Sequence, residues 1–167
     1  MIKQKKLLLR CVDDSVIIMA FVLEDNFSVH RKGTKKEIEA EIKKASQSFP
    51  QERMPIVSWE EITDDDIPKD RTFRNAWITK KPKFIEYDMV KARTIHRDHL
   101  RRVRQLLLDR LDVEYQRADE EKDEVKKQDI VKQKQVLRDI PNDPRIENAD
   151  TPEALKLLTI DTLIIHT

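Results

Sequence analysis

Between Asp88 and about Glu121 the chain carries neither proline nor glycine. Nothing there interrupts helical hydrogen bonding, because proline lacks the N–H and clashes with the preceding turn, and glycine carries a large entropic cost in a helix. Asp88 is placed to cap the first turn. Ile95, Leu100, Val103, Leu107, Leu111 and Ala118 recur at helical spacing, widened by Leu106 and Tyr115. The interval predicts one continuous helix, roughly 45–50 Å long at the usual rise of about 1.5 Å per residue.

The charges on this helix are unevenly placed. Lys91, Arg93, Arg97, Arg101, Arg102 and Arg104 make its first half basic against Asp98. Asp109, Asp112, Glu114, Asp119, Glu120 and Glu121 make its second half acidic, with Arg110 and Arg117 among them. The helix dipole favours the opposite order, so other elements must compensate. For the acidic half the source is legible. A second helix, about 125–139, has Ile130, Val131, Leu137 and Ile140 as apolar positions and is closed by Pro141. Folded back antiparallel, it lays Lys126, Lys127, Lys132 and Lys134 beside the acidic stretch.

That second helix is about half as long as the first and returns only to around Leu106 or Leu107. The remaining segment, with Arg93, Arg97, Leu100, Arg101, Val103 and Arg104, is the expected partner-binding surface, meeting another protein or an identical subunit. The alternative is that the C-terminal helix folds over it. That helix, about 152–159, opens with Thr151-Pro152-Glu153: a cap residue, proline in the first turn and an acid near the positive end. Asn142-Asp143-Pro144 form the preceding turn, and Leu155, Leu157, Leu158 and Ile160 are the helix's packing residues. Leu163-Ile164-Ile165 either continue it or form a terminal strand.

The N-terminal part reads differently. Leu7 to Val12 and Val16 to Leu23 are apolar, β-branched runs separated by the turn formers Asp13-Asp14-Ser15, which predicts a β-hairpin. The near-continuous apolarity of Val16 to Val22 predicts cover on both faces of that strand. Thr34-Lys35-Lys36-Glu37 has the form of a capping box. Ile38, Ile42, Ala45 and Phe49 follow at helical spacing, with Pro50 as the stop. Ile56 to Ile62 is the third strand. The expected fold class is α+β: a small N-terminal ββαβ unit (1–65), a linker motif with a short hairpin or an extended connector (66–87), and a helical arm (88–167). The arm is a long-helix antiparallel hairpin followed by a short C-terminal helix.

Composition narrows the chemistry. Charged residues make up 39% of the chain, against about 25% in an ordinary domain; this suits solvated helices better than one large core. The net charge of +1 gives no global attraction to nucleic acid or anionic lipid. Gly33 is the only glycine, so neither a P-loop nor a dinucleotide fingerprint can be written. Cys11 is the only cysteine, which excludes an intramolecular disulfide and a cysteine zinc cluster. A reducing compartment follows, and Cys11 itself reads as a packed small side chain. The basic start and Leu7-Leu8-Leu9 are interrupted by Arg10, Asp13 and Asp14, unlike a signal peptide. No apolar run reaches the roughly 20 residues needed to cross a bilayer.

Other patterns weigh little. His96 and His99 stand three apart on one helical face, but two histidines make an incomplete metal site. Asp64, Asp65, Asp66 and Asp70 lack EF-hand spacing. His96-Arg97-Asp98 spells a kinase tripeptide without the motifs that accompany it. The serines sit in no nucleophile elbow. The arginines of 93–104 have no interleaved aromatics, so nucleic acid is not the expected partner. No enzyme, cofactor or metal is expected. The most specific local cluster is Arg71, Phe73, Arg74 and Trp77, where Arg74 and Trp77 stand at the spacing for cation–π stacking and the aromatics could pin the segment to the small domain.

Asp66-Ile67-Pro68 followed by Asp70-Arg71-Thr72-Phe73-Arg74-Asn75-Ala76-Trp77 resembles a motif of small bacteriophage and prophage proteins of the tail-assembly region. Val136-Leu137-Arg138-Asp139-Ile140-Pro141, followed by Asp143-Pro144 and Thr151-Pro152-Glu153, is similar to the C-terminal helical part of phage tail assembly chaperones and tail-fibre assembly proteins. Asp112-Val113 stands where many of those carry an acid followed by tryptophan. The resemblance marks Asp66, Pro68, Asp70, Arg71, Phe73, Arg74, Trp77, Leu137, Arg138, Asp139 and Pro141 as family-motif residues. It implies a non-enzymatic accessory protein that binds a phage tail or tail-fibre protein during assembly, in the cytoplasm of a bacterial host. The alternatives are a structural or adaptor subunit of the virion and a nucleic-acid-binding regulator using residues 91–104; a second copy of the chain is the other expected partner.

Overall fold

A computed structural model describes residues 4–22, 35–49 and 55–164. The fold is α+β, and the chain divides into two compact units, Met1–Tyr87 and Asp88–Thr167.

In the first unit, β1 (Gln4–Cys11) and β2 (Val16–Val22) form the expected antiparallel hairpin, with Leu8 opposite Ile18 and Arg10 opposite Val16. Its three-residue loop closes through Cys11 N–H to the Ser15 carbonyl (2.9 Å) and Asp14 N–H to the Cys11 carbonyl (3.1 Å). Asp14 takes the left-handed position of this loop, φ 62°, which an aspartate tolerates better than most residues. The third strand, β3 (Ile56–Ile62), pairs antiparallel with the other side of β1, giving the order β2-β1-β3.

Helix α1 (Lys35–Ala45) covers one face of this sheet, packing Ile38 and Ile42 on Leu7 and Leu9. It ends earlier than its apolar spacing predicts, passing into a tight turn at Ser46–Ser48 whose hydroxyls bond back to the Lys43 and Ala45 carbonyls. The expected cap at Thr34 and stop at Pro50 lie outside the described residues. On the opposite sheet face, Leu8 packs with Val16, Ile62, Ile67 and Trp77. Full cover on both faces therefore belongs to β1, where Leu7, Leu8 and Leu9 are 0%, 1% and 0% exposed. The expectation placed it on β2. Among the described strands β2 is an edge strand, and Ile17, Ile18 and Met19 remain partly exposed.

The segment after β3 belongs to the same unit. β4 (Trp77–Lys81) and β5 (Phe84–Tyr87) form the short hairpin, turning at Lys83 with φ 56°. It is tied to the first hairpin by a bridge between Ser15 and Ile78 and by Thr79 N–H donating to the Asp14 carbonyl (3.0 Å).

The second unit is built on α2 (Met89–Glu120) and α3 (Glu124–Asp139). Asp88 caps α2, accepting from the N–H groups of Val90 and Lys91 at 3.0 and 3.1 Å. The reversal is a Schellman turn: Asp123 N–H reaches the Ala118 carbonyl (2.8 Å), and Lys122 has φ 57° where glycine is usual. The antiparallel pairing sets Lys127 against Asp119 (2.7 Å), Lys134 against Asp112 (2.6 Å) and Lys126 against Glu121 (4.0 Å). Lys132 turns instead to Asp129 on its own helix. Lys134, 8% exposed, also lies over the Tyr115 ring at 4.8 Å.

The buried stripe of α2 is Ala92, His96, Leu100, Leu111 and Ala118. Two residues assigned to the stripe are exposed instead, Val103 at 38% and Leu106 at 68%. Leu106 lies about 120° round the helix from the Leu100–Leu111–Ala118 line, at roughly 100° per residue. Val131 and Leu157 are likewise exposed. After α3 come a turn at Ile140–Asn142 and three short helices, α4 (Pro144–Glu147), α5 (Pro152–Leu157) and α6 (Ile160–Ile164). Thr151 caps α5 as expected, accepting from Ala154 N–H at 3.1 Å. Leu163 and Ile164 lie in a short helix of their own rather than in a strand or a continuation of α5, and Ile165 lies outside the described residues.

Lys122 adopts a left-handed conformation that costs a Cβ-bearing residue roughly 1 kcal/mol. Lys122→Gly is expected to raise the stability of the second unit by about 0.5–1 kcal/mol, read as a higher urea midpoint at unchanged slope.

Candidate binding surfaces

The stretch Asp66–Trp77 shapes itself locally. Asp66 accepts from Thr63 N–H (2.8 Å) and from the Thr63 hydroxyl (2.9 Å). These bonds, the backbone one foremost, hold its carboxyl below the ordinary aspartate range. Asp70 accepts from Thr72 N–H (2.9 Å) and the Thr72 hydroxyl (2.6 Å), fixing an Asx turn. Asp64 pairs with Lys6. Asp66 and Asp70 are thus occupied with turn formation and Asp64 with one strand lysine. Between these turns Ile67, Phe73, Ala76 and Trp77 point inward and are buried. Arg71 and Arg74 are exposed. The expected Arg74–Trp77 stack is not formed, because the Trp77 ring is drawn into the cluster with Leu8, Val16, Ile62 and Ile67. The cation–π contacts among the described residues are those of Lys127 and Lys134 with Tyr115.

Beside this motif lies a groove of about 500 Å³. Its lining combines Ile17 and Phe49, from the α1 side of the sheet, with Val16, Ile18, Ile67 and Trp77, from the other side. Residues of both faces can border one depression only around a strand edge, here the outer edge of β2. Arg71, Arg74 and Asn75 supply the polar rim. Among the described residues neither arginine meets a carboxylate. The sequence pointed to Arg71, Arg74 and Trp77 but missed the strand beside them. Its signal was present in the continuous apolarity of Val16 to Val22, which was assigned to cover on both faces.

The basic segment of α2 divides between internal contacts and exposed surface. Arg93 donates to the Ala149 carbonyl (3.0 Å) and lies 3.5 Å from Glu147, while Arg97 bonds Glu147 at 2.6 Å. Arg104 donates to the carbonyls of Leu137 (3.3 Å) and Arg138 (2.6 Å), capping the end of α3. Leu100 is 1% exposed, and Arg101 pairs with Asp98 at 2.7 Å. Of the six residues assigned to partner binding, Leu100 is core, Arg93, Arg97 and Arg104 are engaged with the chain's own C-terminal part, and Arg101 and Val103 remain at the surface. Part of this segment is thus engaged within the second unit, by α4, Ala149 and the end of α3, while Arg101 and Val103 stay exposed. In the stretch Val136–Pro141, Leu137 and Pro141 are buried, and Asp139 accepts from Gln135.

His96 is not assembled with other ligand types. Among the described residues no group of three or more His, Cys, Asp or Glu is arranged to hold a metal. Its Nε2–H donates to the Leu158 carbonyl at 3.0 Å, which fixes the tautomer. Burial, aided by His99 and Arg97, pulls its pKa below the ordinary histidine value despite that bond. Glu147 is held below the usual glutamate range by the Arg97 hydrogen bond and the Arg93 charge. Arg145, unremarked in the sequence, binds Asp143 (2.8 Å) and donates to the Leu163 carbonyl (2.9 Å), joining α4 to the end of α6. A second depression, apolar and about 540 Å³, lies between α2 and α3 at Leu107, Leu111, Val136 and Leu137.

Against known proteins, no family model, no curated sequence and no solved structure matches this chain. Among the described residues no helix is long and apolar enough to cross a membrane.

Two outcomes follow from these placements. Phe73→Ala removes a buried ring and is expected to destabilise the first unit by about 3 kcal/mol in chemical denaturation. His96 titrates at its ordinary value when unfolded and lower when folded. The unfolded chain therefore binds the proton first, and the second unit loses stability as the pH falls below about 6.5. The wild-type urea midpoint should drop between about pH 7 and pH 5, and His96→Gln should flatten that drop. Asp143 and Glu147, both shifted down, contribute above the carboxylate range and lose their effect only at more acid pH.

Proposed function

We infer that this chain is a non-enzymatic binding protein, and that it serves the assembly of a phage or prophage tail or tail fibre in the bacterial cytoplasm. The observation that carries the binding reading is the groove at β2. It combines apolar walls with two arginines that meet no carboxylate among the described residues. The resemblance of Asp66–Trp77 to tail-region proteins supplies the phage assignment. The same stretch provides Arg71, Arg74 and Trp77 to the groove, so the residues that carry the resemblance are also those that shape the surface.

The placement of the chemically capable side chains supports binding over catalysis. Asp66 and Asp70 serve turns, Asp143 holds Arg145, and the His96 Nε2–H donates a hydrogen bond to a backbone carbonyl. The arginines at 93, 97 and 104 have partners inside their own unit. This weakens the nucleic-acid reading, which needs a row of cations free to meet phosphate.

Co-expression with the tail and tail-fibre proteins of the same phage genome, followed by affinity capture, tests the assignment. One of those proteins is expected to co-purify stoichiometrically, and purified particles are expected to lack the chain by mass spectrometry. Capture of none of them overturns the assembly role. Recovery of the chain in purified particles makes it a virion subunit instead. Retention on heparin that weakens steeply with salt would restore the nucleic-acid reading.

A further inference from the structure

We propose that the outer edge of β2 receives an extended, acidic segment of a partner protein, which adds to the sheet as a fourth strand. The proposal rests on reading the β2 groove as a protein-binding surface; it does not depend on which protein is bound.

The backbone supplies the first argument. Cys11 and Ser15 are hydrogen-bonded across the hairpin at 2.9 Å, and the register runs unbroken from Arg10–Val16 to Lys6–Ala20. Opposed residues in an antiparallel ladder alternate between hydrogen-bonded and non-bonded pairs. Ile17 and Met19 therefore turn their N–H and C=O groups toward β1. Ile18 and Ala20 turn theirs outward, and both border the groove. An added strand would satisfy these groups while laying alternate side chains to either side of the sheet edge. The lining offers that arrangement, with Ile17 and Phe49 on one side and Ile18, Ile67 and Trp77 on the other.

Charge selects the occupant. Arg71 and Arg74 rim the groove, both exposed and without a carboxylate among the described residues. Lys6, also in the lining, is already paired with Asp64. An incoming strand with aspartate or glutamate between apolar residues meets two cations and an apolar wall together. A second copy of β2 fits less well, since it brings its own Arg71 and Arg74 to the same place.

The probe is a fluorescein-labelled heptapeptide alternating valine with aspartate and glutamate, compared with its valine–lysine counterpart and with a heptaglutamate. Fluorescence anisotropy of the full chain should show saturable binding of the acidic valine peptide, weakened by salt and stronger than either control. Arg71→Glu combined with Arg74→Glu should weaken it by about tenfold or more and favour the lysine peptide. N-methylation of the acidic peptide along the edge that meets β2 should abolish binding while keeping charge and side chains. Equal binding of the N-methylated peptide, or indifference to the charge reversals, overturns the proposal. So does concentration-dependent dimerisation that the acidic peptide fails to disperse, which would give the edge to a second copy. If the wild-type chain captures a tail or fibre protein and the charge-reversed chain captures it equally, the assembly role stands and this site is wrong. If the peptide binds as expected and no such protein is captured, the site stands and the assembly role is wrong.

Discussion

The first unit depends on β1 being covered on both faces at once. Leu7 and Leu9 face α1 while Leu8 faces Ile67 and Trp77. Helix α1 supplies only one of the two layers. The other comes from residues after β3, so the Asp66–Trp77 stretch is part of the core rather than an appendage to it. Its apolar positions face inward and its aspartates set the turns that aim them. The two arginines left outside are thereby held at the rim beside β2. Stability and the proposed recognition use different side chains of one short segment.

The second unit answers a different constraint, the reversed charge order of α2. A long helix with cations near its positive end and acids near its negative end is disfavoured by its own dipole. Lysines of α3 meet the acidic half, and Glu147 with the Ala149 carbonyl meets part of the basic half. Arg104 serves the end of α3. The cations are placed for the chain's own neighbours, which explains why so basic a stretch need not have an external anion. Most of these pairs have an exposed member and each contributes modestly. Leu100, Leu111, Ala118, Ile130 and Leu137 hold the assembly.

Elements governed by local rules were legible in the sequence: the first hairpin, the third strand, the two long helices and the caps at Asp88 and Thr151. So was the lysine–acid pairing across α2 and α3, because an antiparallel return leaves little choice of neighbours. The order of strands was not legible. Nothing local tells β1 from β2 as the central strand, since both are apolar and the decision comes from where β3 pairs. That ambiguity misplaced the two-faced cover and hid the edge position of β2 among the described strands. Cover of the basic segment was also undecided, because Glu147 and His96 meet their partners across separations that periodicity does not record. Val103 and Leu106 were drawn into the stripe by their apolarity alone. Of the candidate site, Arg71, Arg74 and Trp77 were found from their composition, whereas Ile18 and Ala20 could be identified only from the ladder.

The account turns on the outer edge of β2, which carries no paired strand beyond the Ser15–Ile78 bridge among the described residues, and amide hydrogen exchange along that strand tests this most directly. In the isolated protein the N–H groups of Ile17 and Met19, bonded to β1, should exchange slowly, and those of Ile18 and Ala20 should exchange much faster. Alternating protection of that kind, with Ile18 and Ala20 slowing when the acidic valine peptide is added, is the predicted result. Uniform protection of all four amides in the isolated chain would mean that the edge is already occupied, and would contradict it.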